Sequence, residues 1–358
     1  MLELKPDLEA VLDRYEAWWN CEVLDRPPVS LTFAKPAAEK LPLPQKQHAS
    51  LRDRWLDIEF QIECASASLS NTVHYADALP IAWPNLGPDV FAAYYGCPLV
   101  FGETTSWSMP ILPDWGPSSL ARLKLDTRGF YFRKTLEMTD AFLDAARGRF
   151  LIAFTDLHPG GDAVAAFRDP QELAIDLIER PDEVRALCHH VTDDFLPLYD
   201  VLYKRLAASQ PVAATWMGCA SLGKQHIPSN DFSCMISERM FQDLFLPAIV
   251  RECRHMRRSI YHLDGPGALR HLDALLAVPE IQAIQWVAGE GHEDWKLWID
   301  VYRRIQRARK ALVLVLPANE LSLLFETLRP EGVWLIVQEF GNTPQEADSV
   351  LAAVSRWR

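Results

Sequence analysis

The chain has 358 residues, 49% of them apolar and 23% charged, which suits an ordinary globular core and excludes a disordered or fibrous chain. Its net charge of −12 argues against nucleic acid or an anionic membrane as the main partner. No apolar run reaches the roughly 18 residues a membrane span needs, MLELKPDLEA lacks signal-peptide character, and the seven scattered cysteines form no CxxC pair; a cytoplasmic chain with reduced thiols is expected.

Taken in order, Leu2–Trp19 has helical spacing, with Leu8, Val11, Leu12, Tyr15 and Trp18/Trp19 on one stripe. Val29–Phe33 (VSLTF) is a first strand, Lys35–Gln47 a Pro/Lys-rich loop, and Leu51–Leu69 helical again. Asn71–Gly87 places Asp77 before a short apolar run, and Ala92–Trp115 is loop and short-strand material suited to a wall over one end of the fold. Arg128–Ala146 is a long amphipathic helix.

From residue 150 the rhythm is regular. Phe150–Thr155, Val212–Met217, Ile260–Asp264, Ala283–Val287, Ala311–Leu316 and Gly332–Val337 are strand-length apolar runs, and each is followed by helical spacing. Six such units predict a parallel sheet covered by helices. Strands from Val29–Phe33 and the Asp77–Trp83 region bring the count to about eight, the number that closes a (β/α)8 TIM barrel. The expected organisation is an N-terminal helical and loop extension over residues 1–70, packed on a barrel of residues 71–358. An open doubly wound sheet is the rival, but no GxGxxG or GxxxxGK[ST] supports it.

Functional residues of such a fold stand at the C-terminal ends of the strands. There the sequence places Asp77, Asp156 and His158, Cys219, Asp231, His262 and Asp264, Trp286 and Glu290, Asn319, and Gln338 with Glu339. His262 and Asp264 stand out in SIYHLDGPGALRHLD. Two residues apart on one strand, they face the same side just before a Gly-Pro-Gly turn, where they can bind a metal or act as an acid/base with its orienting carboxylate. The bland alternatives are an Asp264 that caps the turn and a core His262; Asp162 reads as a helix cap, His271 as structural and His189-His190 as solvated.

Three stretches resemble the uroporphyrinogen decarboxylase superfamily of (β/α)8 barrels: NTVHYADALPIAWPNLG, NDFSCMISERMFQDLFLP and YHLDGPGALRHLDALLAVPEIQAIQW. The likeness runs roughly from Asn71 to the C-terminus. It is nearer to the branch of cobalamin-dependent methyltransferases, which move methyl groups between corrinoid proteins and thiols, than to the tetrapyrrole decarboxylases. Met1–Pro44 has nothing like the decarboxylases' arginine-rich MRQAGRY segment. In the methyltransferases a His-x-Cys strand and a second Cys from the last strand hold zinc. Here the matching positions read His262-Leu263-Asp264, with Gln338 and Glu339 at the last strand end, an oxygen-rich set that suits harder metals.

The resemblance implies a methyltransferase-type enzyme with His262, Asp264 and Asp231 catalytic and a divalent metal, zinc by preference, held by His262, Asp264 and Glu339. Asp77, Asp156, His158, Trp286 and Gln338 line the substrate pocket, and the corrinoid (cobalamin) is carried by a partner protein, since no DxHxxG stretch is present. Two alternatives stand beside it: a metal-independent decarboxylase or lyase of a small acid, with Asp231 and His262 handling protons, and a non-catalytic ligand-binding barrel.

Overall fold

The computed structural model describes residues 2–358. Its centre is a seven-stranded sheet in the order Thr72–Ala76, Val29–Ala34, Val333–Gln338, Ala311–Pro317, Ala283–Val287, Arg258–Asp264, Gln225–His226. From Val29–Ala34 onward every pairing is parallel; Thr72–Ala76 alone is antiparallel, as an edge. The central strands are buried on both faces, which is why VWLIV and ALVLVL are continuous apolar runs without alternation. Ile81–Ala82 pairs in parallel with Leu151–Ile152 as a separate short ladder, and the Phe154 amide reaches the Ala214 carbonyl at 3.2 Å. The chain is thus a mixed α/β protein with a parallel central sheet in a TIM-like arrangement.

The helices follow their apolar stripes. Phe130–Ala146 buries Phe132, Thr135, Met138, Thr139, Phe142, Leu143 and Ala146 at three- and four-residue spacing. Arg180 separates the helices Pro170–Glu179 and Pro181–Ala207, and Pro181 opens the second of them. Pro344–Val354 starts on a capping box of Thr343 and Glu346. No helix among the described residues is long and apolar enough to cross a membrane.

The first 70 residues do more than pack on the outside, because Val29–Ala34 lies inside the central sheet. The helix Leu8–Trp19 drives Tyr15, Trp18 and Trp19 into a core shared with Leu151, Ala153, Ala214, Ile260, Ala283, Val313 and Trp334, inward residues of both the long sheet and the short strands. Tyr15 and Trp18 meet Trp334 edge to face at 5.4 and 5.7 Å, and the Trp18 indole N–H donates to the Leu312 carbonyl at 3.2 Å. This helix plugs the end where the parallel strands begin. The end where they finish stays free for a site.

Candidate functional site

The strand Arg258–Asp264 points His262 and Asp264 to one side, each half-buried, while Tyr261 and Leu263 face the helices and are buried. Gly265 at φ +80° then turns the chain into Pro266–His271. A short 3-10 turn, Asp231–Met235, comes up alongside. The two loops touch at Gly267, where a Cβ would stand 2.8 Å from the Cys234 carbonyl oxygen. That close approach places Asp231 beside the strand: one donor atom from each of Asp231, His262 and Asp264 lies within 4.8 Å of the others. His262 Nδ1 bonds Gln285 Oε1 at 2.6 Å, which leaves Nε2 for the two carboxylates or a metal. The Trp216 ring meets His262 edge to face at 5.8 Å.

A second group adjoins the first. His158 Nε2 lies 3.0 Å from Asp156 Oδ2, its Nδ1 2.5 Å from Ser229 Oγ, and Ser229 donates to Asp162 Oδ2 at 2.6 Å. Gly161 lets this loop close on Asn230, since a Cβ there would sit 2.6 Å from the Asn230 amide nitrogen. Burial opposes a charge on His158, but Asp156, Asp162 and Asp231 outweigh it and push its pKa up to about 10. The Asp231 carboxyl is pushed up to about 6, first by desolvation and then by Asp162 and Asp264, against the pull of His262 and His158. Asp231 as a whole is exposed, so hydration damps that shift, whose upward direction comes first from desolvation of the carboxyl and then from Asp162 beside it.

The His158 shift has a consequence for stability. Its folded-state pKa lies above the unfolded 6.5, so its contribution is complete below about pH 6.5 and is lost as pH rises through about 10. The ceiling is on the order of 5 kcal/mol. Urea midpoints should therefore fall between pH 6.5 and 10, and His158→Gln should flatten that slope; an equally steep slope in the variant would remove His158 as its cause.

The structure brings Asp156, His158, Asp231, His262 and Asp264 close to one another. Asp77 is not among them. Thr72–Ala76 runs antiparallel, so its end falls where the parallel strands begin: the Asp77 amide donates to the Val29 carbonyl at 2.8 Å. Asp77 is fully buried there, bonded to the Arg26 and Arg14 guanidiniums and to the Val29 amide, and no carboxylate oxygen is left for substrate. Glu339 also stays outside the donor group, because Gln338 takes the inward position and the chain bends at Glu339 with φ +52°. Trp286 and Gln338 line an adjoining cavity of about 790 Å³, while His158, Asp162 and Asp231 line one of about 460 Å³ walled by Trp107, Ser108 and Pro110 of the Ala92–Trp115 stretch.

Cys219 is buried, its thiol bonded by Gln225 Nε2 at 2.8 Å and pushed up to about 11 by burial, whereas Cys234 is exposed. His271 is structural, stacked on Phe241 with Nε2 on the Ser233 carbonyl at 2.9 Å. Three contributors went unmarked in the sequence: Ser229, Gln285, and Asp162 in a role beyond a helix cap. Only Gln285 left a signal, since it is the register partner of His262 across AIQWV.

No family profile and no curated protein matches the sequence. Among solved structures, a methyltransferase from Methanosarcina mazei is similar over 96% of this chain and 98% of its own, with a TM-score of 0.56 at 12% identity. At that identity the likeness establishes a shared fold across nearly the whole chain and nothing finer.

Proposed function

We propose that this chain is a methyltransferase-type barrel enzyme that activates its methyl acceptor at Asp231, His262 and Asp264. The observation that carries the reading is the convergence of three metal-ligating side chains, with the free ring nitrogen of His262 already fixed by Gln285. Two carboxylates and one imidazole are a donor set for a divalent ion, zinc among them. Such an ion supplies a Lewis acid that lowers the pKa of a bound thiol or water. Gln285 sets the His262 tautomer, Asp231 and Asp264 carry the balancing charge, and Trp216 shields the imidazole from water. The inward residues shared between the long sheet and the short strands support closure into a (β/α)8 barrel, with this group at its mouth. The methyl group would come from or go to a corrinoid held by a partner protein, and the likeness to a methyltransferase of the same fold supports that class of reaction.

The test is methyl transfer from methylcobalamin to a panel of thiols by the zinc-loaded protein, followed by the loss of the cobalt–carbon absorbance. Transfer that vanishes with a chelator and returns with zinc is expected. No transfer by the loaded protein to any thiol would set the reading aside.

A second reading has its own observation. A His158 raised to about 10 beside an Asp231 raised to about 6 gives one mouth a proton donor and an acceptor with separated pKa values. A metal-independent decarboxylase or lyase of a small acid would use that pair, and its turnover would resist chelators.

A further inference from the structure

The cavity of about 460 Å³ extends from His158 and Asp231 and falls within the size range of small-molecule sites. One side of it is the helix Gly160–Arg168 with the residue that follows. Asp162, Ala165, Ala166 and Asp169 recur there at helical spacing and share a face. Two turns of helix, about 10 Å along the axis, separate the two acids. Between them the surface is alanine, and Trp107, Pro110 and Phe232 add further apolar wall.

Asp89 lines the same cleft, and its Oδ2 accepts the Ser108 amide at 2.8 Å and the Ser108 hydroxyl at 3.0 Å. Asp169 accepts the Gln171 amide at 2.8 Å, and Asp162 accepts the Ser229 hydroxyl at 2.6 Å. These neutral donors hold the carboxylates in place without cancelling their charge. Among the described residues, neither these three nor Asp231 has a Lys or Arg within ion-pair distance, and none lines the cleft. His158 reaches Asp162 at 3.9 Å, but Asp156 at 3.0 Å already balances it. The cleft is therefore left with an excess of negative charge.

A divalent ion at Asp231, His262 and Asp264 would neutralise only one of the acids that line it. Asp89, Asp162 and Asp169 remain. Among the described residues the Asp231 group alone converges tightly enough to hold one metal ion, so these three are not gathered for a second. Carboxylates spread along a cleft call for a cation whose charges are spread as well. Carboxylate oxygens accept hydrogen bonds, so N–H donors suit them better than a quaternary nitrogen.

We infer that this cleft binds a linear aliphatic diamine with both ends protonated. One ammonium sits at Asp162 and Asp231, the methylenes cross Ala165 and Ala166, and the other ammonium sits at Asp169. Each end gains charge-assisted hydrogen bonds, and no polar group is buried against the alanines. The inference stands on the charge and shape of the cleft, and depends neither on methyl transfer nor on a bound metal.

The full chain, stripped of metal, would be titrated calorimetrically at low ionic strength with hexamethylenediamine, trimethylenediamine and hexylamine. Hexamethylenediamine is expected to bind at least about ten times more tightly than the short diamine, which cannot span the acids, and than the monoamine, which has one charge. Asp169→Asn keeps an oxygen for the Gln171 cap and tolerates the φ of +86° there, so the fold should hold. It should weaken hexamethylenediamine about tenfold, the size of one charged hydrogen bond, and leave hexylamine unchanged. Asp300→Asn, an exposed acid on the helix Ile299–Arg307, should change nothing. No binding of hexamethylenediamine, equal binding of either comparison amine, an unaffected Asp169→Asn, or an equal loss in Asp300→Asn would each overturn the inference. Methyl transfer plays no part in this measurement, so its failure and the failure of diamine binding are told apart.

Discussion

His262→Ala is expected to reduce zinc binding from near one equivalent per chain to background, measured by elemental analysis after dialysis against the metal without chelator. The argument is local. His262 is the only nitrogen donor in the group, and its two carboxylate neighbours come from different elements, Asp264 from its own strand and Asp231 from the turn Asp231–Met235. Removing it leaves Asp231 and Asp264, two like charges with no structural reason to hold a soft or borderline ion. An affinity loss of 100-fold or more is expected, and Gln285→Leu, which frees the tautomer while keeping the ligand, should cost about 10- to 100-fold. The acid-base state adds a second readout. With the Asp231 carboxyl pushed up to about 6, binding must release its proton, so affinity should climb from pH 5 to pH 7 and calorimetry should record proton release in that window. A wild-type protein that takes up no metal at pH 7 would falsify the donor group as a metal site and bring the acid/base reading forward.

The parts of the site that were legible in the sequence are those that one strand delivers by itself. A strand alternates its faces, so His262 and Asp264 declared a common direction, and the Gly-Pro-Gly that follows declared the end of the strand. The loop acids Asp156 and Asp231 follow from a different rule, that functional residues of such a fold stand past the C-terminal ends of its strands. What failed was strand direction. Thr72–Ala76 has the composition of any buried strand, and nothing in TVHYA says that it pairs antiparallel with Val29–Ala34 and so carries Asp77 to the far end. Strand lengths differ as well: of Phe150–Thr155 only Leu151–Ile152 is in a ladder, and of Val212–Met217 only Ala213–Ala214, because the loops carrying His158 and Cys219 leave the sheet early. Ser229 and Asp162 lie 67 residues apart, and their hydrogen bond exists only because Gly161 lets the two loops touch. Such a contact belongs to the packing and leaves no periodic trace.

Asp77→Ala is expected to lower the stability of the fold by about 3–5 kcal/mol, the cost of breaking a buried ion pair from one side. The carboxylate is fully buried and meets Arg26, Arg14 and the Val29 amide, so its loss strands one guanidinium that is itself buried and one backbone donor. These contacts tie the turn after Thr72–Ala76 to the N-terminal helix and to the first residue of the Val29–Ala34 strand. The substitution should therefore loosen the end of the sheet opposite the donor group. A denaturant titration reads the first effect and zinc affinity at 25 °C the second: the unfolding midpoint should drop while metal binding holds. Asp77→Asn is the sharper variant, since it keeps the size and the hydrogen bond from Val29 but removes the charge, and it should destabilise less than alanine. If either variant instead left stability intact and weakened ligand binding at the mouth, the role of Asp77 as a structural anchor far from the site would be overturned. A simultaneous loss of midpoint and metal would mean that the plug helix and the mouth are coupled through the Trp18–Trp334 core that separates them.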